Sequence, residues 1–83
     1  MFAFKHCTDG IIGKAVFNQE VSVISDFKDY DSAASACAEK RRRFIEEHPL
    51  KPEVSGTDTD FTVVTDREGY RTTERFWIEE AGS

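Results

Sequence analysis

Cysteine, proline and glycine are all scarce in this 83-residue chain, at two, two and five residues. Two cysteines, Cys7 and Cys37, are too few for a disulfide-stapled scaffold. Both thiols are therefore expected to be free, in a reducing cytoplasmic setting, although sequence alone leaves a single Cys7–Cys37 bridge open. No apolar run approaches the roughly 18 residues of a membrane span. No secretory leader is expected either, because residues 1–17 are interrupted by Lys5, His6, Asp9 and Lys14.

Catalytic and metal-binding patterns are equally sparse. His6, Cys7, Cys37 and His48 carry the atoms that zinc prefers, but their spacing matches no ligand motif. His6 and Cys7 should also face opposite sides of a strand. Asp58 and Asp60, or Asp26, Asp29 and Asp31, lack the calcium loop with its central glycine and terminal glutamate. Cys37 and His48 lie about 16 Å apart along a helix, too far to form a nucleophile–base pair. Glu74 and Asp60 could act as general bases, but neither has an identifiable partner. There is no glycine-rich phosphate loop. A chain this short buries only roughly 60–65% of its unfolded surface, and a deep pocket would consume much of its core. The expectation is a protein that is not an enzyme and holds no cofactor or metal.

What the chain does carry is charge, and it is unevenly placed. Eleven lysines and arginines face sixteen aspartates and glutamates, for a net charge of −5. Within residues 49–69, Lys51 and Arg67 stand against Glu53, Asp58, Asp60, Asp66 and Glu68. An acidic balance disfavours broad binding to nucleic acid and suits a partner with a basic surface. Lys40-Arg41-Arg42-Arg43 looks like a nucleic-acid patch. Successive helical residues are about 100° apart, however, so the four encircle the helix, and Glu39, Glu46 and Glu47 are within pairing reach.

Periodicity divides the chain. Residues 1–7 alternate, with Phe2, Phe4 and His6 on one side. Thr8-Asp9-Gly10 has turn chemistry, residues 11–17 read as a second strand, and 21–25 as a third. A helix follows over residues 31–48. Asp29 or Asp31 can cap it, and Tyr30, Ala33, Ala34, Cys37, Arg41, Phe44 and Ile45 fall on one stripe. His48-Pro49 stops it. Residues 49–60 read as a polar, mobile connection. The runs 61–65 and 70–78 flank Asp66-Arg67-Glu68-Gly69, a strong hairpin signal. The expected fold is a single α+β domain over residues 1–83. It has about five short, mostly antiparallel strands in the order β-β-β-α-β-β and one helix on one face. The β-α-β-β portion, residues 21–78, is shared by many unrelated small domains and names no family.

In the last strand, Tyr70, Thr72, Glu74, Phe76 and Ile78 share one face, and Arg71, Thr73, Arg75 and Trp77 share the other. If Phe76 meets the helix, Trp77 points away, beside an arginine, and these are the residue types that most often anchor interfaces. Phe2, Phe4, Phe17, Phe61, Phe76 and Trp77 cannot all fit beneath one alanine-rich helix, so some are expected to meet another chain across the open face. The leading expectation is a non-catalytic protein-binding module, with a second copy of the chain as another candidate cover. Its contact residues would be Trp77, Arg75 and Arg71, with Glu53, Asp58 and Asp60 of the acidic segment. A sharper form is a small acidic inhibitor of a nucleic-acid-handling complex, of the kind that phages and mobile elements encode, such as anti-CRISPR proteins. The alternative is a nucleic-acid-binding protein that uses the basic end of the helix and an Arg71–Arg75–Trp77 stacking platform.

Overall fold

Two long strands set the architecture of the computed structural model, which describes residues 1–12, 15–16, 20–49, 51–67 and 70–80. β1 (Phe2–Ile12) and β6 (Tyr70–Glu80) pair antiparallel over their whole lengths, from Phe2 opposite Glu80 to Ile12 opposite Tyr70. The other edge of β1 is shared by β2 (Ala15–Val16), which folds back on Ile11 and Ile12, and β3 (Glu20–Phe27), which covers Phe2 to Thr8. Beyond β6 lie β5 (Asp60–Arg67) and then β4 (Glu53–Thr57), again antiparallel. Among the described residues one helix, α1 (Tyr30–Glu46), connects β3 at one edge to β4 at the other and packs across one face. The expected α+β fold, a mostly antiparallel sheet under one helix, is the one observed. At 16 Å in its shortest dimension the molecule has room for one sheet and one helical layer. Among the described residues no helix is long and apolar enough to cross a membrane.

Several local expectations are corrected. Thr8, Asp9 and Gly10 do not turn but continue β1, opposite Glu74, Thr73 and Thr72. Turn propensity is a local preference, and here the continuous ladder with β6 overrides it. The segment 49–60 is not a loop throughout, since residues 53–57 form β4. Val54 supplies the reason: it lies opposite Val63 and packs on the core. Gly56, at φ 112°, closes the pairing with β5, where a Cβ would fall 2.4 Å from the Asp60 carbonyl oxygen. Ile24 is an extra residue in β3, because Phe4 pairs with Ser25 and Lys5 with Val23, a β-bulge. Glu68 and Gly69 of the expected hairpin turn lie outside the described residues, as do residues 17–19.

The helix begins as its sequence suggests. Asp29 is the cap, its carboxylate accepting from the Ser32 backbone N–H at 2.8 Å. That hydrogen bond holds the Asp29 carboxyl below its ordinary pKa. At the other end the Glu47 N–H donates to the Arg43 carbonyl at 2.8 Å, and Pro49 follows. Ala33 and Cys37 are fully buried, with Ala36 and Phe44 packed beside them. Small side chains over the first turns let the backbone approach the sheet closely. Ile45 and Tyr30, both expected on the helix stripe, are 53% and 47% exposed. Ile45 is one residue, about 100°, beyond Phe44 and has rotated off the stripe. The Tyr30 ring meets Phe2 edge-on at 5.5 Å.

The core is a phenylalanine cluster centred on Phe76. Its ring lies 5.0 Å from Phe61 and 4.5 Å from His6, stacked on both, and 5.5 Å from Phe44 of the helix. Phe4, Val63 and Cys37 complete the buried set. Phe76→Ala is expected to cost about 3–5 kcal/mol, because it removes a nearly fully buried ring and leaves a cavity. Phe44→Ala should cost less, since the Phe44 ring keeps some contact with solvent. Denaturant unfolding of both variants checks this order, and equal losses would place the two rings in the same environment.

Candidate partner-binding face

Alternation along each strand sends one set of side chains to the helix and the other to the opposite face. Phe4, Phe61 and Phe76, with Phe2, Phe27 and Phe44, all sit on the helix side. Of the aromatic side chains described, Trp77 alone lies on the outer face. Among the described side chains the open face therefore carries one large ring rather than the several that composition suggested. Phe17 is outside the described residues.

Trp77 stands in a row across the sheet, opposite Lys5 of β1 on one side and Asp60 of β5 on the other. The next row holds Cys7, Arg75 and Thr62. Arg75, two residues from Trp77 and on the same face, places its guanidinium 4.8 Å from the indole ring, a cation–π contact. The same guanidinium grips Asp60 with both arms, Nε to Oδ1 at 3.1 Å and Nη2 to Oδ2 at 2.7 Å. Arg75 thereby holds the Asp60 carboxyl below its ordinary pKa, and Asp60 raises that of Arg75. Lys5 forms an ion pair with Glu79 at the other flank of Trp77. The centre of the face is thus an indole framed by internally neutralised charges. Val21 and Val23, 57% and 52% exposed, lie opposite Cys7 and Lys5 and extend the face to the β3 edge.

The expected contact residues do not all gather there. Trp77, Arg75 and Asp60 form one cluster. Arg71 is exposed on the same side of β6 but farther along, opposite Asp66 and Ile11. Glu53 is exposed at the start of β4, opposite Val64. Asp58 turns to the helix layer, where Arg41 Nη1 donates to its Oδ1 at 3.2 Å. The acidic segment is therefore divided between the two layers instead of forming one surface.

The basic helix end is similarly committed. Arg42 donates to Glu39 at 2.6 and 3.0 Å and also pairs with Glu46. Arg43 reaches Glu39 at 3.2 Å, and Lys40 lies 5.6 Å above the Phe44 ring. Hydrogen bonds from Arg42 and then Arg43 bring the Glu39 carboxyl down to about 2.

One cluster was not visible in the sequence. Glu74 Oε1 and Thr8 Oγ1 lie 3.0 and 3.1 Å from His6 Nε2, on the helix side of the sheet. Finding it required the register of β1 on β6, which the expected turn at residues 8–10 concealed. Both partners share one ring nitrogen, whereas an acid–histidine–nucleophile relay engages the two nitrogens separately. Among the described residues no three His, Cys, Asp or Glu side chains are grouped to hold a metal ion. Cys7 and Cys37 are free thiols, the first partly exposed on the outer face and the second buried under the helix. Compared with family models, with curated proteins and with solved structures, the chain matches none.

Two outcomes follow for titration and reactivity. A carboxyl with a lowered pKa stabilises the fold above the ordinary aspartate range, and that stabilisation is lost as pH falls through the lowered value. Both partners are about half exposed, at 53% and 51%, so the Arg75–Asp60 pair should contribute no more than about 1 kcal/mol. An NMR titration is expected to give Asp60 a midpoint below that of an unperturbed aspartate, and Arg75→Gln should raise it. An unchanged midpoint would mean that the grip does not form in solution. Burial, and then the Asp60 and Asp58 charges, push the Cys37 thiol up to about 11. A thiol-specific reagent at pH 8 is expected to label Cys7 in the folded protein and Cys37 only after unfolding. Equal labelling rates would mean that the helix does not seal Cys37.

Proposed function

We propose that this chain is a non-catalytic protein-binding module whose contact surface is the open sheet face centred on Trp77. The observation that carries this reading is the Trp77–Arg75–Asp60 arrangement, an indole held by a guanidinium that is itself held by a carboxylate. Tryptophan and arginine dominate the energetics of protein interfaces. A side chain already fixed in the free protein loses little freedom on binding. The net charge of −5 favours a partner with a basic surface, through faster encounter and rejection of acidic competitors. Inhibition of a nucleic-acid-handling complex is the specific form of this proposal that best uses the acidic balance, since such complexes present basic grooves.

Direct nucleic-acid binding through Arg71, Arg75 and Trp77 is less well supported. A phosphate at Arg75 would have to displace Asp60, and at Arg42 or Arg43 it would have to displace Glu39. Capture from a lysate with and without nuclease separates the two readings. Retention of a protein after nuclease treatment supports the proposal, and loss of all captured material overturns it in favour of nucleic acid. Once a partner is isolated, Trp77→Ala is expected to weaken binding by about 2 kcal/mol or more, roughly 30-fold. The unfolding midpoint should stay within a few degrees of the parent. Unchanged affinity would remove Trp77 from the interface.

A further inference from the structure

The sheet ends in two unlike edges. β3 is broken by the bulge at Ile24, whereas β4 keeps an unbroken register with β5 and pairs with no other strand among the described residues. The free side of an edge strand carries backbone N–H and C=O groups with which a further strand can pair. Alternation puts Val54 on the helix side, opposite the buried Val63, and Glu53 on the outer side, opposite Val64. Gly56, at φ 112°, bends the far end of β4, so the regular part of the edge is centred on Val54. Beside it, two hollows of about 330 and 570 Å³ follow the flank of α1. They adjoin, since Ile45 and Glu46 line both, and Pro52 and Val54 line the larger. Ile45, rotated off the core stripe and 53% exposed, thus lies in a groove between the helix and the edge strand.

We infer that this groove is a second partner site, where an extended basic segment of another protein adds to β4 as a further strand, with an apolar side chain opposite Val54 and a lysine or arginine opposite Glu53. The charges select the occupant. Glu53 is exposed, and its carboxylate has no hydrogen-bond or ion-pair partner among the described residues. Lys51 does not offset it, because Lys51 lines the groove on the helix side of the strand. The other cations of the groove are committed, Arg41 to Asp58 and Arg42 to Glu39 and Glu46. A cation set opposite Glu53 completes a cross-strand ion pair, whereas a carboxylate there meets a like charge. Glu53 therefore turns away acidic strands, a second copy of β4 included, and the net charge of −5 draws basic ones. The apolar neighbour follows from alternation. It faces the helix side, where Ile45 and Val54 leave apolar surface to cover. Trp77 belongs to β6, two strands away from β4 and on the outer face, so this site stands apart from the one proposed above.

The test uses a fluorescein-labelled peptide, Lys-Val-Arg-Val-Lys, with fluorescence anisotropy for affinity and NMR for location. Saturable binding is expected, with the largest amide shifts at residues 53–55. The peptide Glu-Val-Glu-Val-Glu is expected not to bind. Two further peptides carry methyl groups on the backbone nitrogens of the valines or of the cations, which keeps every side chain and removes the donors of one strand edge. One of the two should bind at least about tenfold more weakly than the parent peptide. Glu53→Lys and Ile45→Ser, at exposed positions that the fold should tolerate, should each weaken binding at least about fivefold with an unchanged circular dichroism spectrum. Absence of saturation at millimolar peptide overturns the inference. So does equal binding by both methylated peptides, which would leave charge alone as the attraction, or full affinity in either protein variant. Binding lost in Trp77→Ala but kept in Glu53→Lys would put the peptide on the outer face and overturn it as well. None of these measurements uses the partner of the Trp77 face, so failure here leaves that reading standing.

Discussion

The stacking of His6, Phe76 and Phe61 across three adjacent strands is the contact on which the rest of the structure depends. These side chains occupy one row of the sheet, because His6 pairs with Phe76 and Phe76 with Phe61. The row continues to Gly56 on β4, where the missing side chain allows close backbone approach. Phe44 descends from the helix onto the middle ring. Strand register, the helix position and the β4 edge are all tied to this line of rings. A slip of one residue would move Phe76 out of it and bring Trp77 in.

That dependence links interior and exterior. Strand geometry leaves no choice about Trp77 once Phe76 is inward. The outer face then had to be made compatible with water around one indole, and the neighbouring charges do this in pairs: Arg75 with Asp60, Lys5 with Glu79. The result is a surface with a fixed apolar centre and little local net charge. The long-range field remains that of an acidic chain. Under the proposed binding role, close-range chemistry and distant steering would come from different residues, the partner's charge setting the encounter rate and the indole how long it stays.

Alternation made much of this legible. The side of Trp77, the cap at Asp29, the Ala33–Cys37 face and the hairpin of β5 with β6 follow from periods of two and 3.6 residues and from capping chemistry. What escaped depended on partners distant in sequence. Thr8-Asp9-Gly10 carries turn residues but lies between strands, and the ladder with β6 outweighs their preference. Val54, a single apolar residue in a polar stretch, gave too weak a pattern to reveal β4. The Asp60–Arg75 grip and the His6–Glu74 contact each need a cross-strand register that no local window contains. The helix phase was right at Phe44 and wrong at Ile45, where one residue of rotation separates core from solvent.

The sheet places the two strands most distant in sequence side by side at its middle. β1 occupies positions 2–12 and its partner β6 positions 70–80. During synthesis the first strand must therefore wait until β6 has been made before its main ladder can close. Until then its phenylalanines have only β3 and whatever the helix can cover. Contacts of such long sequence separation slow folding, and an unpaired central strand is a hazard while it waits. This strand order is expected to make the sheet fold more slowly than one of equal size built from neighbouring hairpins, a consequence of topology and not of size.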